Sequence, residues 1–240
     1  MFDKKSFFKE IFEYVKEKKE MPPVDLHVHT SWTDGRNTVD EMCEAAIRLK
    51  LTNILFSEHS RRESKDWFNK FSNQIKNANV KFKKECNFLI GTEVKILNNR
   101  GELDLSDNIK KECDLIMASV HRFPGEVGSI INNQGKFTKE EALNLEYELM
   151  LAAIENSDAD IIGHPFGMTL KRFNSEPPWE FFVKIIKKAG QYEKIFEVNF
   201  HYHKNHKKLI DACIENNTLI SFGSNAHSTD ELGKVNKIKL

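Results

Sequence analysis

The stretch VDLHVHT, residues 24–30, sets two histidines one residue apart at the end of a short apolar run that begins just after Pro22-Pro23. Such a run, bounded by a proline pair, reads as a β-strand, and alternate side chains of a strand leave on one face. His27 and His29 can therefore grip one cation together.

The same design recurs downstream. Further runs read as strands at Asn53 to Ser57, Phe88 to Thr92, Asp114 to Val120, Asp160 to Gly163, Lys194 to Val198 and Thr218 to Gly223. Several hold Ile, Leu, Val and Phe without alternation, as strands buried on both faces of a parallel sheet do. Between them, residues 38–50, 63–85, 139–155, 179–189 and 205–216 carry helical periodicity, long enough for parallel crossovers. The prediction is an α/β fold with a parallel sheet. Residues 97–106 and 122–138 carry the Gly, Asn and Pro of loops, the second long enough for a lid. Upstream, Phe7, Phe8, Ile11, Phe12 and Val15 recur at helical spacing, with lysines and glutamates on the other face. Residues 1–22 are thus expected to form an amphipathic helix that packs on a domain of residues 23–240; its glutamates argue against a membrane-surface role.

Nearly every predicted strand runs into a residue able to bind a metal. The first gives His27 and His29, the second His59 in FSEHS, the third Glu93 in IGTEV, the fourth His121 in ASVH, the fifth His164 in IIGHP, and the seventh Asn225 and His227 in FGSNAH. Any one of these histidines alone reads more readily as an ordinary core or surface residue. Their joint placement does not, because parallel α/β barrels assemble their sites from the carboxyl ends of the strands. Glu93 can bridge two ions with its two oxygens, and a set of imidazole and carboxylate without thiolate suits Zn, Mn or Fe with positions left open for water.

Composition narrows the possible functions. At 240 residues the chain fits one domain with a substantial core. Its 36 basic and 36 acidic residues cancel, so no overall field draws it to nucleic acid or an anionic membrane. Cys43, Cys86, Cys113 and Cys213 are scattered, which excludes a zinc ribbon, a CxxC redox motif or a disulfide framework. The charged N-terminus lacks a secretory core, and no apolar stretch reaches the ~18 residues of a membrane span. A cytoplasmic location is expected.

In this order, DLHVHT, TDG, EHS, GTE, SVH, GHP and SNAH resemble the motifs of the PHP (polymerase and histidinol phosphatase) family, from Val24 to about Gly233. The resemblance implies a distorted (β/α)7 TIM-like barrel, a site of two or three metal ions, and hydrolysis of phosphate esters. It assigns His27, His29, Glu93 and Asn225 to one metal, Glu93, His121 and His164 to a second, and Asp34, His59 and His227 to a third. The departure is Asn225, where the pattern SDAH has aspartate. Asparagine can lend a carbonyl oxygen but cannot accept a proton. Glu93, Asn225 and His227 are the residues expected nearest the chemistry.

Cations held by two evident carboxylates, Asp34 and Glu93, would leave a positive pocket suited to a small phosphorylated metabolite attacked by metal-activated water. Arg122, beside His121, is the preferred phosphate contact, since arginine suits bidentate recognition. Arg61, Arg62, Lys171, Arg172, Asn199 and His203 are further candidates, and Trp32, Thr33, Trp67 and Phe68 are candidate pocket walls. Three rival readings are an amidohydrolase, which would usually carry a bridging lysine where Val120-His121 stand, a catalytically weakened metal-binding module, and a nuclease.

Overall fold

The computed structural model describes residues 2–83, 85–126, 133 and 135–237. The strands are β1 (Val24–Val28), β2 (Asn53–His59), β3 (Asn87–Lys95), β4 (Leu115–Ser119), β5 (Ile161–Ile162), β6 (Ile195–Asn199) and β7 (Ile220–Gly223). They form one sheet in sequence order, and every adjacent pair is parallel. Just past β7 a parallel bridge joins Val28 to Ala226, with the His29 amide donating to the Ala226 carbonyl at 2.8 Å. The ring is thus nearly closed, a distorted (β/α)7 TIM-like barrel. β1, β4, β6 and β7 are buried along their whole length, as parallel strands covered on both faces are; β4 (LIMAS) is accordingly a nearly unbroken apolar run, whereas β1 (VDLHV) alternates, with its Asp25 and His27 buried all the same.

The helices are α1 (Lys4–Lys18), α2 (Val39–Arg48), α3 (Lys65–Lys81), α4 (Asp107–Glu112), α5 (Lys139–Asn156), α6 (Gly167–Phe173), α7 (Trp179–Gln191) and α8 (His206–Glu215). Reciprocal capping boxes start α2 and α5: Thr38 with Glu41, and Thr138 with Glu141. α1 buries Phe8, Ile11, Phe12 and Val15 in the same core cluster as Leu26 of β1 and Leu55 of β2, and its Lys4 pairs with Asp160 at 2.8 Å. A second cluster fills the space where α2 and α3 cover the first three strands.

Three features differ from the sequence expectation. β5 is only two residues long. α4 and α6 stand where no helix is expected, because six and seven residues are too short to show a period. The expected lid, 122–138, falls partly on residues 127–132 and 134, outside the described residues.

Candidate metal centre

The carboxyl ends of the strands deliver the polar side chains to one mouth. His27 lies in β1 and His29 just beyond it, His59 ends β2, and Glu93 sits near the end of β3. His121, His164 and Asn225 each stand two residues past β4, β5 and β7, with His227 close behind. Asp34 comes from the turn after β1.

Glu93 is the hub. One oxygen lies 2.7 Å from His164 Nε2 and 3.0 Å from His121 Nε2. The other lies 3.2 Å from His59 Nδ1, 3.4 Å from His27 Nε2 and 3.6 Å from His29 Nε2. Asp34 holds a second focus, with one oxygen 3.4 Å from His59 Nε2 and 3.3 Å from His227 Nε2. Three groups have geometry to share an ion: His29, Asp34, His59 and His227; His27, His29 and Glu93; and His59, Glu93 and His121.

The electrostatics describe groups forced together. Burial alone would raise the Glu93 pKa, but His121, His27, His164 and His59 hold its carboxyl well below the usual range. Burial, reinforced by His59 and His27, pushes His29 well below an ordinary imidazole. At His227 the hydrogen bond to Asp34 raises the pKa against burial. The residues fit a cation on a further observation. His29 Nδ1 is buried without a hydrogen-bond partner, and the Nε2 atoms of His27 and His29 face each other at 3.1 Å. Buried polar atoms left unsatisfied cost about 1–3 kcal/mol each, and divalent cations are the ligands this donor set suits.

Three further carboxylates are buried nearby. Glu197 in β6 accepts from His27 Nδ1 at 2.7 Å, from Asn199 Nδ2 at 3.0 Å and from the His164 amide. Glu58, next to His59, accepts from the Thr30 amide at 2.7 Å and from the hydroxyls of Thr30 and Thr33, and burial pushes it up to about 7. Asp25 accepts from the Ser224 amide and hydroxyl and from the Gly233 amide, and burial pushes it up to about 6. Burial would raise Glu197 as well, but His27 and His164 hold its carboxyl below the usual range, so it adds a negative charge that a count of Asp34 and Glu93 alone leaves out. The signal was present in the sequence: each of the three is an acid set inside an apolar strand.

The cluster opens into a cavity of about 1380 Å³. Asn225, Arg61, Arg122, Lys171 and Arg172 line it, as do Lys95 and Tyr202, which sequence reasoning did not select. Arg172 is already paired with Glu126 at 2.8 Å and lies against the rings of both Phe123 and Phe173. Three expected contacts are not on the wall. Arg62 turns to Glu102 at 2.6 Å. Asn199 is buried, its oxygen accepting from the amides of His201 and Tyr202. His203 is buried too: its Nδ1 accepts from the Asn199 amide and its Nε2 donates to the Pro165 carbonyl at 2.9 Å, while burial lowers its pKa to about 4. Trp32 and Trp67 stack on each other at 5.9 Å, and Phe68 is buried, so these aromatics pack α3 instead of walling the pocket. The Thr33 hydroxyl is taken by Glu58.

The DNA polymerase/3'-5' exonuclease PolX of Bacillus subtilis is 29% identical over 162 residues, 62% of this chain, but the chain spans only 24% of that protein's length. A "Probable phosphatase" of Clostridium acetobutylicum is 24% identical over 233 residues, covering 90% of this chain and 83% of the relative. The solved structure of histidinol phosphate phosphatase from Lactococcus lactis, complexed with zinc, L-histidinol and phosphate, shares the fold at a TM-score of 0.66 and 19% identity, over 89% of this chain and 92% of that one. No helix among the described residues is long and apolar enough to cross a membrane. The family model of the PHP domain matches residues 25–201, from the His27 and His29 pair through Glu93, His121 and His164 to the end of β6, and the chain belongs to that family.

Proposed function

We propose that the protein is a metal-dependent phosphoesterase that hydrolyses a small phosphate monoester, with two or three divalent ions of Zn, Mn or Fe held by His27, His29, Asp34, His59, Glu93, His121, His164, Asn225 and His227. The observation that carries this reading is Glu93, whose two oxygens stand within 3.6 Å of five imidazoles at the mouth of a large cavity. Bound there, divalent cations would draw charge from phosphoryl oxygens and bring the pKa of a water toward neutrality.

The chain's own residues do the rest. Arg122, Arg61 and Lys171 line the approach and offer donors to phosphoryl oxygens. Arg172 orders the wall through Glu126. His227 Nδ1 donates to the Asn225 carbonyl at 2.9 Å, which fixes its tautomer and turns Nε2 toward Asp34. Asn225 lines the cavity as a neutral amide and cannot take a proton from the attacking water. Val120 and His121 stand directly after β4, with no lysine at that position, which leaves the amidohydrolase reading without its bridging group.

The test is phosphate release from p-nitrophenyl phosphate and from a panel of phosphorylated metabolites, histidinol phosphate included, by protein loaded with Mn, Zn or Fe. A single-stranded oligonucleotide serves as the nuclease arm. Release of phosphate from a monoester with at least two equivalents of metal bound is expected. Less than one equivalent after growth in metal-rich medium, or cleavage of the oligonucleotide alone, would overturn the proposal.

A further inference from the structure

The Glu197 carboxylate is fully buried, and its recorded partners are imidazole and amide groups, with no lysine or arginine among them. A carboxylate taken wholly out of water costs several kcal/mol unless its lone pairs are satisfied. Here they are satisfied by three donors that belong to three different parts of the site. His27 Nδ1, at 2.7 Å, belongs to an imidazole whose Nε2 faces Glu93. The His164 amide belongs to a residue held at φ +27, a region that side-chain-bearing residues rarely adopt. Asn199 Nδ2, at 3.0 Å, belongs to the side chain whose oxygen takes the amides of His201 and Tyr202, both of which line the cavity.

The packing beneath is made for this contact. A Cβ on Gly223 of β7 would collide with both the Glu197 carboxylate and the Cβ of His27, so only glycine lets the two side chains meet there. Backbone strain such as that at His164 persists only where the surroundings over-determine it, and the Glu197 hydrogen bond is one such restraint.

We propose that Glu197 is a positioning residue that fixes the Nδ1–H tautomer of His27, pins the backbone of His164 and, through Asn199, holds the turn bearing His201 and Tyr202 against the cavity. One buried carboxylate thus couples the ligand cluster to the substrate wall. An imidazole that gives one N–H to a carboxylate offers a more basic, better aimed second nitrogen to a cation, and loss of such a partner typically lowers metal affinity about 10–100-fold. This inference rests on the metal-binding reading above, but its test does not require turnover.

The experiment compares wild type, Glu197→Gln and Glu197→Asp by calorimetric titration of metal-free protein with Zn and with Mn. Nitrogen-15 spectra of the histidine side chains and thermal melts accompany the titrations. Glu197→Gln is expected to melt cooperatively, to bind metal about 10–100-fold more weakly, and to lose the fixed proton on His27 Nδ1; Glu197→Asp should recover part of the affinity. Metal affinity in Glu197→Gln equal to wild type would overturn the inference. So would a wild-type spectrum in which His27 Nδ1 carries no proton, a measurement that stands even if the variant fails to fold. Wild-type protein that takes up no metal at all would end the metal reading itself, and the His27 spectrum would still decide the role of Glu197.

Discussion

Asn225 stands at φ +55, a left-handed conformation that asparagine and aspartate tolerate better than other side chains. Asn225→Asp should therefore fold normally. By restoring a group able to accept a proton it should raise kcat by about 10²–10⁴-fold. Single-turnover rates at saturating Mn check this, and a variant no faster than the present chain at equal metal occupancy would show that the amide is no lesion. Glu93→Ala should lose more metal, by elemental analysis, than alanine at any single histidine, since its oxygens face five imidazoles. Arg122→Ala should raise KM for a phosphate ester more than Lys171→Ala, because residue 122 is tethered to His121; steady-state kinetics with both variants measure it. At this scale the residues that converge were legible because histidines at successive strand ends are conspicuous. Asn199 and His203 are buried in their own turn and do not line the cavity, and a rim position read from sequence does not tell which of the two a polar side chain will do. The place of Glu197 inside an apolar strand marked it as a buried acid, but nothing in the sequence names its partner, which lies 170 positions away.

Among the elements, the strands were legible to within a few residues because full burial leaves unbroken apolar runs, and α2 and α5 because they carry both period and cap. α6 was not. It follows two residues with positive φ, His164 and Phe166, and its first turn is held by a side chain from another helix. Glu146 of α5 accepts from the Met168 amide at 3.1 Å, the Thr169 amide at 2.7 Å and the Thr169 hydroxyl. Burial raises its carboxyl from 4.5 to about 7 despite those bonds. The folded protein therefore binds this proton more tightly than the unfolded chain does, and the sign follows: Glu146 favours folding below pH 4.5, and that contribution is lost as pH rises through about 7. In Glu146→Gln the decline in unfolding free energy between about pH 5 and 7 should be shallower than in wild type, as urea titrations across that range would read. An unchanged slope would mean that the carboxyl is already ionised in the folded state.

For the whole molecule, α1 is part of the barrel's core and no mere appendage. Phe8 is fully buried with Leu26 and Leu55, so Phe8→Ala should cost about 3–5 kcal/mol in denaturant unfolding; a loss under 1 kcal/mol would detach the helix from the core. The ring itself is uneven. β2 and β3 pair over seven residues, while β5 pairs with β4 and β6 in register only at Ile161 and Ile162, helped by backbone hydrogen bonds of the flanking Asp160 and Gly163, and its tip carries His164. A ring opens first at its thinnest stave, and this stave is loaded with one of the imidazoles around Glu93. Deuterium should enter the Ile161 and Ile162 amides sooner than those of Leu55 and Leu89, by local openings that never unfold the rest. Because a cation gripping His164 would hold that stave shut, added Zn should slow exchange there far more than in β2. The protein would then report its own metal occupancy in the breathing of two isoleucines.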